Sequence, residues 1–156
     1  MIKLRLPTLA PLTSPYRAKS TVWNWHFDEE KKIWINTKDQ NGIGEHKGYD
    51  FSCPVGTPIM ACAEGRIVKI GWDSGKEPPS AIGFGLRIIQ VVHQDKQDWL
   101  VYYGHLSDIS VKKDELIKAG QLLGKSGNTG RSTGAHLHCE ARDPLTQQPQ
   151  EIAWEV

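Results

Sequence analysis

Short runs of alternating apolar and polar residues, bounded by segments rich in glycine and proline, most limit how this chain can fold. Side chains of a strand point to alternate faces, so such runs predict half-buried β-strands. Glycine and proline between the runs interrupt any helix. The four clearest runs are residues 65–72, 85–94, 98–106 and 136–142.

The composition leaves little room for helix. Only residues 111–119 have a helical composition, and that length allows about two turns. We therefore expect loops at 73–85, 107–121 and 124–134. The sequence predicts an all-β fold, a compact antiparallel sheet or sandwich with very little helix.

The length of 156 residues suits one domain with a single modest core. We assign that domain to residues 44–156, which contain all four predicted strands. Residues 1–43 show no clean period, and we interpret them as an N-terminal extension that packs on the core or borders a groove. Trp23, Trp25 and Trp34 would make those contacts.

The charge balance argues against nucleic acid as a partner. Nineteen basic and eighteen acidic residues give a net charge of +1, whereas proteins that hold phosphates carry a basic excess. Apolar runs such as WLVYY at 99–103 are far too short to cross a bilayer, so we expect no membrane insertion. Three prolines within the first 15 residues argue against a cleavable signal peptide.

The three cysteines, Cys53, Cys62 and Cys139, lack CxxC spacing and are odd in number. This pattern predicts neither a disulfide scaffold nor a cysteine zinc ribbon. We interpret all three as small buried apolar residues.

Two histidines one residue apart form the most informative motif, in TGAHLHCE at 133–140. On a strand, His136 and His138 project from one face, and Cys139, the residue after His138, projects from the other. Two imidazoles can therefore share one small site. Glu140 follows on the same face, and we interpret it as a residue at the rim.

A second motif, HKGYD, contributes His46 and Asp50. Their spacing of four places both on one side of an extended chain, with Gly48 allowing the backbone to bend between them. His105 follows Gly104 at the end of a predicted strand, a common place for catalytic groups. Two histidines and an aspartate fit a hydrolytic zinc site, which has three protein ligands and an open position for water.

The histidines and one glycine-rich stretch also have other interpretations. Polar side chains on a solvated sheet face are the alternative for the two neighbouring histidines. His26 and His93 have no partner at ligand spacing and are interpreted as ordinary surface residues. The stretch AGQLLGKS at 119–126 fits a relaxed phosphate-loop pattern, but three glycines within 127–134 preclude the helix that such a loop needs. We interpret it as a glycine-rich turn and loop.

Taken together, the motifs resemble the lysostaphin-type, LytM-like zinc endopeptidases, which cut peptide bonds in bacterial peptidoglycan. The resemblance covers residues 44–142 and rests on HKGYD, YYGHLS and KAGQLLGKSGNTGRSTGAHLHCEAR. It implies a groove with one Zn²⁺ on its floor and loops as its walls. It also implies metal ligands at His46, Asp50 and His138, and catalytic histidines at His105 and His136.

The resemblance implies a zinc-dependent endopeptidase that hydrolyses the peptide cross-links of peptidoglycan. The sequence does not determine the oligomeric state, and we favour a monomer. Two departures, Cys139 in place of an aromatic residue and Lys113 in place of a glycine, should affect packing more than chemistry. The stretch 20–43 has no clear match in the family, and it borders the substrate groove there. Lacking an export signal, the enzyme would reach the wall at phage or prophage lysis, or on a virion.

Two alternatives stay open at this point. One is a non-catalytic wall-binding or virion structural module of the same fold. The other is a glycan hydrolase that uses two of the carboxylates Glu45, Asp50 and Glu140.

Overall fold

The structure is a computed structural model of the chain. It describes residues 2–15, 46–73 and 83–155 in full, and between 16 and 45 it describes only the backbone of four short strands. The side chains of Trp23, Trp25 and Trp34, and the predicted loop from 74 to 82, lie outside the described residues.

The described residues form sixteen strands and no helix. In chain order these are β1 (Ile2–Arg5), β2 (Leu12–Ser14), β3 (Lys19–Ser20), β4 (Trp25–Asp28), β5 (Ile33–Asn36), β6 (Gly44–Glu45), β7 (Tyr49–Ser52), β8 (Pro58–Met60), β9 (Gly65–Trp72), β10 (Leu86–Gln94), β11 (Gln97–Ile109), β12 (Leu116–Ile117), β13 (Leu122–Ser126), β14 (His136–Arg142), β15 (Pro149–Gln150) and β16 (Ile152–Glu155).

One ten-stranded sheet dominates the fold. Its main path runs β12-β9-β10-β11-β14-β7-β2, and β13, β8 and β15 pair at its side. All pairs of this sheet are antiparallel, whereas β1 pairs with β16 in parallel. The predicted all-β, antiparallel fold is confirmed. No helix in the described part of the chain is long and apolar enough to cross a bilayer.

The four predicted strands correspond to β9, β10, β11 and β14, but two of the predicted loops are partly wrong. Strand β11 continues past His105 to Ile109, and Leu122–Ser126 forms strand β13. A side chain at Gly124 would collide with the carbonyl of Asp108, so this glycine permits close strand pairing rather than ending a strand. Residues 111–119 form no helix and contain β12.

The pleat of the main sheet separates a core face from a polar face. Tyr103 and Cys139 lie opposite each other on β11 and β14, and Tyr49 of β7 lies opposite Cys139. All three are buried in the core, which confirms the interpretation of Cys139 as a packing residue. The next register, Asp50 opposite His138, therefore points to the other face.

The N-terminal and C-terminal strands close the core beneath β7. Ile2 and Leu4 of β1 are buried in it. The ring of Trp154 on β16 lies edge-on to Tyr49, 5.2 Å away between centroids, and the Tyr49 hydroxyl accepts from the backbone N–H of Ile152 at 2.9 Å. Residues 2–8 thus pack on the core, whereas residues 11–14 are exposed or half-buried. The predicted domain boundary at residue 44 stays a prediction.

Leu4→Ala should destabilise the protein by about 2–5 kcal/mol, because it leaves a cavity in the core beneath β7. Equilibrium unfolding in urea measures this change. The matched control is Lys3→Ala, since Lys3 is an exposed neighbour on the same strand and should change stability little. Equal effects of the two substitutions would contradict the role of β1 in the core.

Candidate metal centre

The three residues predicted to bind zinc converge on one point of the polar face. Asp50 Oδ1 lies 2.8 Å from His138 Nδ1 and 3.3 Å from His46 Nε2. The two histidine nitrogens are 3.1 Å apart. The register of β7 against β14 positions Asp50 and His138, and the chain just before β7 supplies His46.

Each of the two histidines has one ring nitrogen that points to the centre and one that points away from it. The hydrogen bond of the outward nitrogen determines whether the inward nitrogen carries a lone pair. His46 Nδ1 lies 3.1 Å from the Ser14 hydroxyl and 3.2 Å from the Pro15 carbonyl. Since the carbonyl can only accept, a proton on Nδ1 satisfies it and leaves the lone pair on Nε2. His138 Nε2 lies 3.0 Å from the Glu140 carboxylate, so its Nδ1 has the lone pair when the ring is neutral. Both tautomers suit metal binding.

Three lone-pair atoms this close repel one another unless a cation or a proton lies among them. Tetrahedral zinc with nitrogen and oxygen ligands at about 2.0–2.2 Å would set those atoms about 3.3 Å apart. The donor set and its spacing therefore fit a zinc ion with three protein ligands.

The pKa values of Asp50 and His138 indicate that a proton lies between these two side chains when no metal is bound. Burial raises the pKa of Asp50, but the His138 and His46 imidazoles beside it outweigh burial and lower the pKa below its usual range. Burial lowers the pKa of His138, but Asp50 and Glu140 outweigh it and raise the pKa to about 9. Metal binding must therefore displace a proton from His138.

Glu140 is not at the rim, so that interpretation is wrong. It is 1% exposed; its Oε2 accepts from His138 Nε2, and its Oε1 pairs with Nε of Arg142. Burial raises the pKa of Glu140, while His138 and Arg142 oppose this and keep the pKa below its usual value. The signal in the sequence was its position two residues after His138, where a strand places it beside that imidazole.

Gly48 lies at a bend, as predicted, and it also allows a close approach to β14. A Cβ atom at this position would lie 2.7 Å from His138 Nε2 and 2.5 Å from the carbonyl oxygen of Cys139. The backbone between His46 and Asp50 therefore passes against β14, and only glycine allows this approach.

His105 reaches the polar face because of a β-bulge. Tyr103 pairs with Ile88 and Leu106 pairs with Leu86, so Gly104 and His105 together oppose the single residue between them on β10. His105 has a φ of 60°, a left-handed conformation that is uncommon for residues other than glycine. Its backbone N–H donates to the Phe84 carbonyl at 2.6 Å and stabilises the bulge.

The two predicted catalytic histidines lie side by side next to the metal centre. Their ring centroids are 4.6 Å apart, and His136 Nε2 is 3.6 Å from Asp50 Oδ1. Each Nδ1 lies 2.7 Å from a backbone carbonyl, that of Thr129 for His105 and that of Gly134 for His136. In both neutral rings the proton is therefore on Nδ1, and Nε2 is free to accept one.

The environment keeps His105 neutral. Burial, together with the neighbouring His136 and His138, lowers its pKa to about 4. The Thr129 carbonyl is held in place because the Thr129 hydroxyl donates to the Leu106 carbonyl at 2.7 Å and accepts from the Leu86 N–H at 3.1 Å.

A phosphate loop at 119–126 would need a helix directly after Ser126, and the described chain has no helix there.

His93 lies apart from this cluster, as predicted for a surface residue. Its side chain is 69% exposed and lies 2.8 Å from Asp98. The side chain of His26 lies outside the described residues.

Comparisons with known proteins agree with this geometry. Residues 44–151 match peptidase family M23. The glycyl-glycine endopeptidase ALE-1 of Staphylococcus capitis is 42% identical over 98 residues, which are 61% of this chain and 24% of ALE-1. The peptidoglycan DD-endopeptidase ShyA of Vibrio cholerae is 39% identical over 130 residues, 83% of this chain and 26% of ShyA.

A solved structure extends the likeness to the fold. The catalytic domain of the antimicrobial peptidase lysostaphin from Staphylococcus simulans is similar with a TM-score of 0.59 and 37% identity, over 71% of this chain and 77% of that domain. This chain spans about a quarter of the length of ALE-1 and of ShyA. Since the family match includes most of the sequence and both histidine motifs, the chain belongs to peptidase family M23.

Proposed function

We propose that this protein is a zinc-dependent endopeptidase that hydrolyses the peptide cross-links of bacterial peptidoglycan. The proposal rests on one observation: the lone pairs of His46, Asp50 and His138 meet at a point that two further histidines border. The similarity to ALE-1 and ShyA, which are named as endopeptidases, supports peptide bonds as the target.

His46, Asp50 and His138 would hold the zinc ion. In such a site zinc supplies Lewis-acid polarisation of a carbonyl and acidification of a water molecule. The protein's own contribution is preorganisation, because Pro15 and Glu140 keep both imidazoles in the tautomers that bind metal.

His105 and His136 would handle the protons of the reaction. With Nδ1 bonded to a carbonyl, each ring can accept a proton at Nε2 from the attacking water and return it to the leaving amine. Once protonated, the same Nε2 can donate a hydrogen bond to the oxyanion that forms at the scissile carbonyl. The two rings thus provide one base and one oxyanion donor.

The carboxylates offer little support for glycan hydrolysis. Asp50 faces three histidines, and Glu140 is buried between His138 and Arg142. Neither is free to work as one of a pair across a sugar ring. The side chain of Glu45 lies outside the described residues.

Access to the wall and assembly are part of the proposal. We propose that the partner is a peptidoglycan peptide and that the protein works as a monomer. It would meet the wall when a phage or prophage lyses the cell, or on a virion. A non-catalytic wall-binding or virion module of the same fold is the second candidate, which zinc content and turnover distinguish from the enzyme.

His138→Ala and Asp50→Ala should each lower zinc occupancy far below one ion per chain and abolish activity, because two ligands cannot hold an open tetrahedral site. Metal analysis of the purified variants measures this. His93→Ala is the control, since His93 is exposed and far from the cluster. A full equivalent of zinc in both ligand variants would show that the ligands are assigned wrongly.

His105→Ala and His136→Ala should keep their zinc and lose about 10²- to 10⁴-fold in turnover, because they remove proton transfer rather than ligands. Zinc content and kcat are measured on the same preparations. If either variant lost its zinc, that histidine would be a ligand and the two roles would have to be exchanged.

Digestion of purified cell walls should release free amino groups without new reducing sugar ends, and a chelator should stop it. The reason is that an amide presents an oxygen to the metal and a leaving amine to the imidazoles. Both kinds of chain end are assayed in one digest. New reducing ends that persist with the chelator would exclude the peptidase proposal, and intact walls would favour the non-catalytic module.

A further inference from the structure

The glycine-rich segment 127–134, which lies between β13 and β14, holds both predicted catalytic histidines by their Nδ1 atoms. The carbonyl of Thr129 lies 2.7 Å from His105 Nδ1, and the carbonyl of Gly134 lies 2.7 Å from His136 Nδ1. The two carbonyls differ in how they are positioned. Gly134 is two residues from His136 in the chain, whereas Thr129 is 24 residues from His105. The orientation of the His105 ring therefore depends on the long-range packing of this segment.

The Thr129 hydroxyl attaches this residue to the pair of strands that carries His105. It donates to the Leu106 carbonyl at 2.7 Å and accepts from the Leu86 N–H at 3.1 Å. Leu86 and Leu106 are paired across β10 and β11 at the end of the bulge that contains His105. One hydroxyl thus bridges the two strands directly beyond the bulge. A valine at this position would have nearly the same shape and could make neither bond.

A crossing of two backbones holds the other side of Thr129. Gly85 and Gly130 have φ values of 64° and 71°, and a Cβ atom on either would collide with the backbone of the other. Only glycine allows both this conformation and this close approach. The Arg131 N–H also donates to the Gly83 carbonyl at 3.0 Å. The segment is therefore held against the chain that leads into β10.

The same two parts of the chain hold the strained backbone of His105. Its φ of 60° is in the left-handed region, which is unfavourable for a residue with a side chain unless the surrounding structure enforces it. The His105 N–H donates to the Phe84 carbonyl, and the ring Nδ1 donates to the Thr129 carbonyl. Phe84 thus holds the backbone of His105, while Thr129 holds its ring with the proton on Nδ1 and the lone pair on Nε2.

We propose that Thr129 is a positioning residue for the reaction: its carbonyl keeps the lone pair of His105 on Nε2, and its hydroxyl keeps that carbonyl in place. This inference rests on the proposed peptidase function. Without the hydroxyl, the carbonyl can move, and the neutral ring can carry its proton on Nε2 instead. A ring in that tautomer cannot accept a proton at Nε2 from the attacking water. Thr129 acts through His105, so its loss should affect turnover and not the metal ligands.

Thr129→Val should lower kcat about 10- to 100-fold, because a displacement of about 1 Å in a catalytic group can cost about 10²-fold in rate. KM should change less than about threefold, and zinc should stay at one ion per chain. Thr129→Ser keeps the hydroxyl, so its kcat should be within about threefold of the wild type. Thr57→Val is the matched control and should keep the wild-type kcat. The Thr57 hydroxyl also donates to a carbonyl at 2.7 Å, that of Pro54, and it makes no hydrogen bond to a histidine of the described chain.

Nitrogen NMR of the purified protein with isotope-labelled histidine separates positioning from a purely structural effect. The shifts of the two ring nitrogens report the tautomer of His105, and the signal missing from His105→Ala identifies them. The wild type, Thr57→Val and Thr129→Ser should show the proton on Nδ1, whereas Thr129→Val should show a mixture of the two tautomers. His136 is the internal reference, because the Gly134 carbonyl that faces it accepts from the Ser132 hydroxyl at 2.7 Å.

Three results would overturn the positioning role and leave the peptidase intact. They are a wild-type kcat in folded Thr129→Val, a lower kcat without a change in the His105 tautomer, and an equal loss of kcat in Thr129→Ser. Unfolding in urea shows that each variant is folded. If Thr129→Val does not fold, Thr129→Ala takes its place, because it leaves room for a water molecule beside the Leu86 N–H.

Failure of the proposed function is a separate outcome. If the wild type cleaved neither purified walls nor cross-linked peptides, the peptidase proposal would fail. The NMR comparison of the wild type with Thr129→Val would still show whether Thr129 orients the His105 ring.

Discussion

The pairing of β14 with β7 in a single register is the constraint on which the whole centre depends. Asp50 faces His138 only because Tyr49 faces Cys139 and Phe51 faces Leu137 on the other side of the sheet. A slip of one residue would bury the imidazole in the core and turn the thiol outward. Burial of these apolar side chains, worth about 25 cal/mol for each Å² removed from water, therefore fixes the geometry of the polar face.

The polar face in turn brings together three groups whose lone pairs would repel one another without a proton or a cation among them. Each imidazole also has a hydrogen-bond partner on its outer side. Pro15, which holds His46, belongs to the N-terminal segment and lies outside the family match at 44–151. The chain therefore completes its metal centre with a segment that pairs with β7 from the open edge of the sheet. The same strand pairings that build the core keep the ligands close despite their mutual repulsion.

Local periodicity explains what the sequence could predict. The alternation in HLHCE places His136 and His138 on one face and Cys139 on the other, whatever surrounds the strand. The burial of Glu140 could not be predicted this way, because its partner Arg142 lies against the rings of Phe84 and Tyr102, which come from distant parts of the chain. The metal ligands and catalytic roles came from family resemblance, and the structure brings those five residues together.

Long-range pairing also explains the errors. In strict alternation His105 would share the core face with Tyr103, and only the bulge against β10 turns its ring to the metal centre. Such a bulge depends on the register of two strands and leaves no clear mark in one sequence. Likewise, Gly124 and its neighbours look like a loop in isolation, yet they form a strand because β8 and the end of β11 offer partners on both sides.

The centre has two chemically different ends, and this asymmetry connects the fold to the proposed reaction. At one end His105 and His136 are anchored by neutral carbonyls, and burial keeps the pKa of His105 at about 4, so its ring is neutral and able to accept a proton. At the other end Glu140 and Arg142 are charged and paired. In the proposed reaction, protons would be exchanged at the first end, whereas the second end carries fixed charge. A single pleated strand, β14, spans both ends because its side chains recur on the same face at every second residue.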